Sequence, residues 1–149
     1  MKVNEIVIAN RFLSDLKLSK FDKIVRIAVL KNYMAFSKIA KDYENMLEDL
    51  QKKMFDDKQE EAQEVQKLRN NLQKAKTAEE FEQATVELEK HQKFLDAENE
   101  FIRLINDEAS KEVEIEITKI DRNKFVDSLV ASGIEFTPKD IDKVELIFK

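Results

Sequence analysis

His91 is the only histidine in the chain, and no cysteine is present. To act as a general base it needs a second positioned polar group and a pocket. Acid-rich helices offer a different chemistry, divalent-metal binding. A helical magnesium-dependent pyrophosphohydrolase would pair Glu-x-x-Glu on one helix with Glu-x-x-Asp on a later one. Glu61-x-x-Glu64 supplies the first half, but no Glu-x-x-Asp follows it. A di-iron bundle wants Glu-x-x-His twice, whereas the one histidine is preceded three residues earlier by Leu88. With Gly133 as the single glycine, neither a phosphate-cradling loop nor a Gly-x-Ser-x-Gly nucleophile elbow can be built. No catalytic, cofactor-binding or metal-ligating residue is therefore assigned. A metal-dependent helical hydrolase around Glu61, Glu64 and His91 stands as the third functional reading.

Cations form the next candidate set. Lys20, Lys23, Arg26, Lys31, Lys38 and Lys41 crowd the early chain, and residues 1–55 hold eleven bases against seven acids. Residues 56–111 hold nine bases against fifteen acids, and residues 112–149 six against nine, for −5 in all. Phosphate contacts need clustered cations, and these occupy at least two sides of a helix in a chain of pI near 5.1. Nucleic acid is not the expected partner. A basic start before an acidic middle would steer an anionic partner to one end.

The elements that must position these residues are helices. One Gly and one Pro occur in 149 residues, against roughly ten and seven at average usage. That scarcity excludes turn-rich sandwiches, barrels and doubly wound sheets. No segment reaches the roughly 20 apolar residues of a membrane span. The opening MKVNEIVIANRF does not read as a secretory signal. Together these features predict a cytosolic product, and no membrane partner.

Asn4 is expected to cap a first helix running to about Leu16, and Ser19 a second. From Phe21 to Ala40 the chain is apolar over more than one stripe, with Ile27, Val29, Leu30, Tyr33 and Met34 beside Ile24, Val25, Ala28 and Phe36. A helix of that kind should be wrapped by other elements. The pattern weakens over residues 56–61, either a break or an exposed stretch of one rod, and resumes at Val65, Leu68 and Leu72. Thr77-Ala78-Glu79-Glu80 reads as a capping box. Beyond it Phe81, Ala84, Leu88, His91, Leu95, Glu98, Ile102, Ile105 and Ala109 repeat as a heptad seam. A turn near Lys76 folds this helix back so that paired residue numbers sum to about 152. Phe81 then faces Leu72, Leu88 faces Val65, Ile102 faces Leu50, His91 faces Glu61 and Glu98 faces Met54.

Glu112-Val113-Glu114-Ile115-Glu116-Ile117-Thr118 alternates strictly, which predicts a half-buried strand with Val113, Ile115 and Ile117 inward. Asp121 caps a short helix closed by Gly133, and Thr137-Pro138-Lys139-Asp140 starts another. The tail from Asp142 continues that helix or alternates Val144, Leu146 and Phe148 as a strand.

Met1-Lys2-Val3-Asn4 leading into a short helix, the acidic helical centre, the Glu112–Thr118 alternation and the closing Phe136-Thr137-Pro138-Lys139-Asp140-Ile141 resemble a group of small tailed-bacteriophage proteins of unknown function. Those proteins are encoded in phage and prophage genomes, often near virion and tail genes. The group contributes no catalytic residues; the resemblance implies a place in the host cytoplasm or the virion.

The expectation is thus a mainly α protein, a long antiparallel coiled-coil helical hairpin (42–110) on a small α/β base with one or two short strands. Residues 1–41 form the helical base, and 111–149 pack on it. Such a protein is expected to be a non-enzymatic phage-type structural or assembly component that binds proteins or itself. A phage-encoded inhibitor or adaptor of a host protein is the alternative. The expected contact residues are Leu50, Val65, Leu68, Leu72, Phe81, Leu88, Leu95 and Ile102 on the hairpin, and Val113, Ile115 and Ile117 on the strand edge.

Overall fold

The computed structural model describes residues 1–149. It is mainly helical: α1 (Val3–Ser14), α2 (Lys23–Phe55), α3 (Gln59–Lys74), α4 (Ala78–Glu89), α5 (Gln92–Ala109), α6 (Arg122–Ala131) and α7 (Pro138–Asp142) precede a short 3₁₀ turn at Glu145–Ile147. No helix is long and apolar enough to cross a membrane. Two compact units divide the chain. The first joins Met1–Asn45 to Glu108–Lys149, and the second is Met46–Asp107.

In the first unit α1 begins two residues earlier than the Asn4 cap implies. The Val3 amide donates to the Lys111 carbonyl at 3.0 Å, and the Met1 carbonyl accepts from Val113 at 2.8 Å. The chain start is tied down by these bonds, so Lys2 takes the cap position and Glu5 reaches back to the Lys2 amide at 2.8 Å. Ser19 does not cap α2 either. Phe21 is buried edge-on against Phe125, ring centres 6.2 Å apart, and this burial delays the helix until Asp22, whose carboxylate accepts from the Val25 amide at 3.4 Å.

The core of this unit gathers Ile6, Ala9 and Leu13 from α1, Val25, Val29 and Phe36 from α2, and Phe125 and Leu129 from α6. Ile141, Val144, Ile147 and Phe148 close it from the C-terminal end. The caps expected here form. Asp121 accepts from the Lys124 amide at 3.0 Å, and Thr137 and Asp140 make a reciprocal box with Pro138 at the first helical position. Gly133, at φ +68°, ends α6 in a Schellman motif. Its amide bonds the Val130 carbonyl and that of Ile134 the Leu129 carbonyl.

The expected α/β base is corrected: no sheet forms. The only pairings are isolated bridges, Lys2 with Glu112 and Ile120 with Phe148. Val113, Ile115 and Ile117 do turn toward the core, half-buried, but the segment finds no neighbouring strand. Its anchor is a side chain instead. Fully buried Asn32 of α2 donates from Nδ2 to the Thr118 carbonyl and accepts the Thr118 amide at Oδ1, both at 2.8 Å. The tail is likewise neither continued helix nor strand, since Val144 and Ile147 are buried through the 3₁₀ turn and Phe148 stacks edge-on to Phe125 at 5.3 Å.

In the second unit both rods expected of the hairpin are interrupted. α2 ends at Phe55, and Lys58 bonds the Phe55 carbonyl at 3.0 Å. Asp56 and Asp57 would oppose the negative end of the α2 dipole, whereas Glu60 and Glu61 suit the positive start of α3. The second interruption, at Lys90 and His91, separates α4 from α5. Thr77 caps α4 as expected, accepting from the Glu80 amide at 3.2 Å, while Glu80 reaches the Lys76 amide. α3 and α4 pack against each other, with Val65, Leu68 and the small Ala84 buried.

Replacing Asn32 with Leu keeps the side chain's heavy-atom count and branching but leaves the Thr118 amide and carbonyl without partners. Each unpaired group costs roughly 1–3 kcal/mol, so urea unfolding of Asn32→Leu should show a loss of about 3 kcal/mol. A loss below about 1 kcal/mol would mean that the pair does not hold this segment.

Candidate protein-interaction site

The break at Lys90 and His91 changes the phase of α5. Phe94, not Leu95, is the buried residue, at 3% exposure. Its ring packs edge-on to Phe55 at 5.6 Å, and Phe55 meets Phe101 at 5.3 Å. The inward face of α5 therefore runs through Phe94, Phe101 and Leu104, and Ile102 is turned out at 54% exposure. Phe81 is also largely exposed, at 53%. Val65 and Leu68 lie in the second unit's interior, while Leu50, Leu72, Leu88 and Leu95 are half-buried. Of the expected contact residues on the hairpin, Val65 and Leu68 are buried, and Phe81 and Ile102 are exposed.

Glu98 is engaged by Arg69. Its carboxylate takes both terminal nitrogens of Arg69 on α3, with one bond at 3.2 Å, and this bond holds the Arg69 guanidinium above its already high ordinary range. Arg69 and Glu98 form the polar side of an open groove of about 400 Å³ whose apolar wall is Phe55, Phe94 and Ile102. His91 and Glu61 do meet, Nδ1 to Oε1 at 3.1 Å. Glu64 is exposed and takes no part in that pair, and no three His, Asp or Glu side chains converge on one point. A lone histidine–carboxylate pair can hold α3 to the start of α5, but it brings no third group to orient a reacting atom.

The surface that sequence reading missed is on α2. That helix was expected to be wrapped on all its apolar sides. Its inner stripe, Val25, Val29, Asn32 and Phe36, is indeed buried, but Ile24, Ile27, Leu30 and Met34 stay 71%, 43%, 46% and 72% exposed. Lys23, Lys31, Lys38 and Lys41 are exposed around them, and no acid occurs between Asp22 and Asp42. The double stripe was visible in the sequence; which stripe is covered depends on Asn32.

Comparison with family models, curated proteins and solved structures finds no match. What the chain does must be argued from its surfaces.

The corrected phase of α5 is directly measurable. Phe94→Ala empties a buried site and should cost about 3 kcal/mol or more in urea unfolding. Ile102→Ala, at an exposed site, should change stability by less than about 0.5 kcal/mol. Equal losses from the two would restore the seam through Ile102.

Proposed function

We propose that this chain is a non-enzymatic protein-binding component, of the phage-type structural or assembly kind its sequence resembles, and that it works in the host cytoplasm or the virion. One observation carries the reading. Four large apolar side chains, Ile24, Ile27, Leu30 and Met34, stand uncovered along one helix. Contiguous apolar surface of that kind on a small protein marks a contact site. In this reading residues 42–110 work as an antiparallel coiled-coil hairpin, with Phe81 and Ile102 as further contacts, and the bound protein includes other copies of the chain.

An inhibitor or adaptor docking on a host protein would use the same exposed stripe, so the two readings separate by stoichiometry. Size exclusion with light scattering across a range of concentrations should give masses above the 17.5 kDa of one chain. Met34→Asp, at an exposed position, should return the protein to monomer with its helical circular dichroism unchanged. A strict monomer that captures one host protein through Met34 would replace assembly by the inhibitor reading. A strict monomer that binds no protein would overturn protein binding itself.

A further inference from the structure

α2 and α4 are complementary in charge. Residues 23–41 carry Lys23, Arg26, Lys31, Lys38 and Lys41 with no acid, and α4 carries Glu79, Glu80, Glu82, Glu87 and Glu89 with no base. Both expose large apolar side chains. On α2 these are the Ile24-to-Met34 stripe; on α4 they are Phe81 at 53% and Val86 at 49%. Glu82, Val86 and Glu89 follow at four- and three-residue steps and share one helix face, and Phe81 stands at its edge beside Glu82. The α2 stripe from Ile24 to Met34 is about 15 Å long and α4 about 18 Å at 1.5 Å per residue. The two surfaces are similar in length, both carry exposed apolar side chains, and they are opposite in charge.

We propose that the outer face of α2 is a docking site for α4 of a second copy of this chain. The inference rests on the protein-binding reading above and names the partner. Apolar side chains of the two helices interleave, and the lysines of α2 flank the glutamates of α4. An α2-to-α2 contact would set two acid-free basic stretches against each other and is disfavoured. The α2–α4 contact is heterologous. Each docked copy still offers one free α2 face and one free α4 face, so copies join head to tail into a ring or an open chain. One helix laid on another covers less than the roughly 1,200–2,000 Å² of a standard stable interface. The junction is therefore weak, concentration-dependent and loosened by salt.

Two single-face variants test the arrangement. Met34→Asp spoils only the accepting face and Phe81→Asp only the donated one, both at exposed positions. Wild-type protein followed by sedimentation velocity should assemble progressively with concentration, and less so at high salt. Each variant alone should remain monomeric, its association weakened by roughly tenfold or more, as for loss of an interface anchor. Mixed together, they retain one usable junction and should stop at a 1:1 dimer. Phe81→Asp that assembles like wild type would overturn α4 as the occupant. Wild type that stays monomeric at every concentration would overturn self-docking. Binding of a foreign protein lost in Met34→Asp would then leave the protein-binding reading standing, and failure of that binding too would remove both. Met34-dependent binding to phosphatidylserine vesicles would assign the face to a membrane surface instead.

Discussion

The roll of α2 about its own axis decides what this protein shows to its surroundings, and Asn32 sets that roll. Its amide is buried and pairs with both backbone groups of Thr118. Rotating the helix to bury Ile27 and Met34 would strand an amide, an N–H and a carbonyl in an apolar interior. The cost of unpaired buried polar groups greatly exceeds what the exposed stripe would gain by moving in, because the inner stripe would have to come out in exchange. The exposed apolar face is thus the consequence of a satisfied polar contact on the opposite side.

The same contact explains how the first unit does without a sheet. Val113, Ile115 and Ile117 alternate as a strand would, and they face the core. Their segment lacks a neighbour to share a ladder with, and the Asn32 side-chain amide, which presents an N–H donor beside a carbonyl acceptor as a peptide group does, takes the neighbour's place at Thr118. The break between α2 and α3 follows from charge. Acids fall where α2 stops and where α3 starts, so the break at 56–58 relieves one dipole and complements the next.

What could be read in the sequence was local. The caps at Thr77, Asp121 and Thr137 and the turn at Gly133 depend on side chains bonding their own nearby backbone, and each formed. The inward set of the 112–118 run was legible for the same reason, as a two-residue period. What was not legible depended on distant partners. Asn32 is one polar residue in an apolar stretch, and nothing near it names Thr118, 86 positions away. The phase of α5 turned on whether helix continued through His91. A one-residue slip exchanged Leu95 for Phe94 and drove Ile102 outward. Glu98 is held by Arg69, a partner the sequence did not name. Of the expected contact residues, Phe81 and Ile102 ended on the surface, while the larger exposed patch, on α2, had been assigned to the core.

The central claim is that the outer face of α2 is uncovered in the single chain and covered when chains meet. Hydroxyl-radical footprinting reads this at the Met34 thioether, which oxidises according to its exposure. In dilute protein Met34 should oxidise readily, and its rate should fall as concentration rises, in step with protection at Phe81. An oxidation rate at Met34 that stays the same from dilute to concentrated solution would contradict the account.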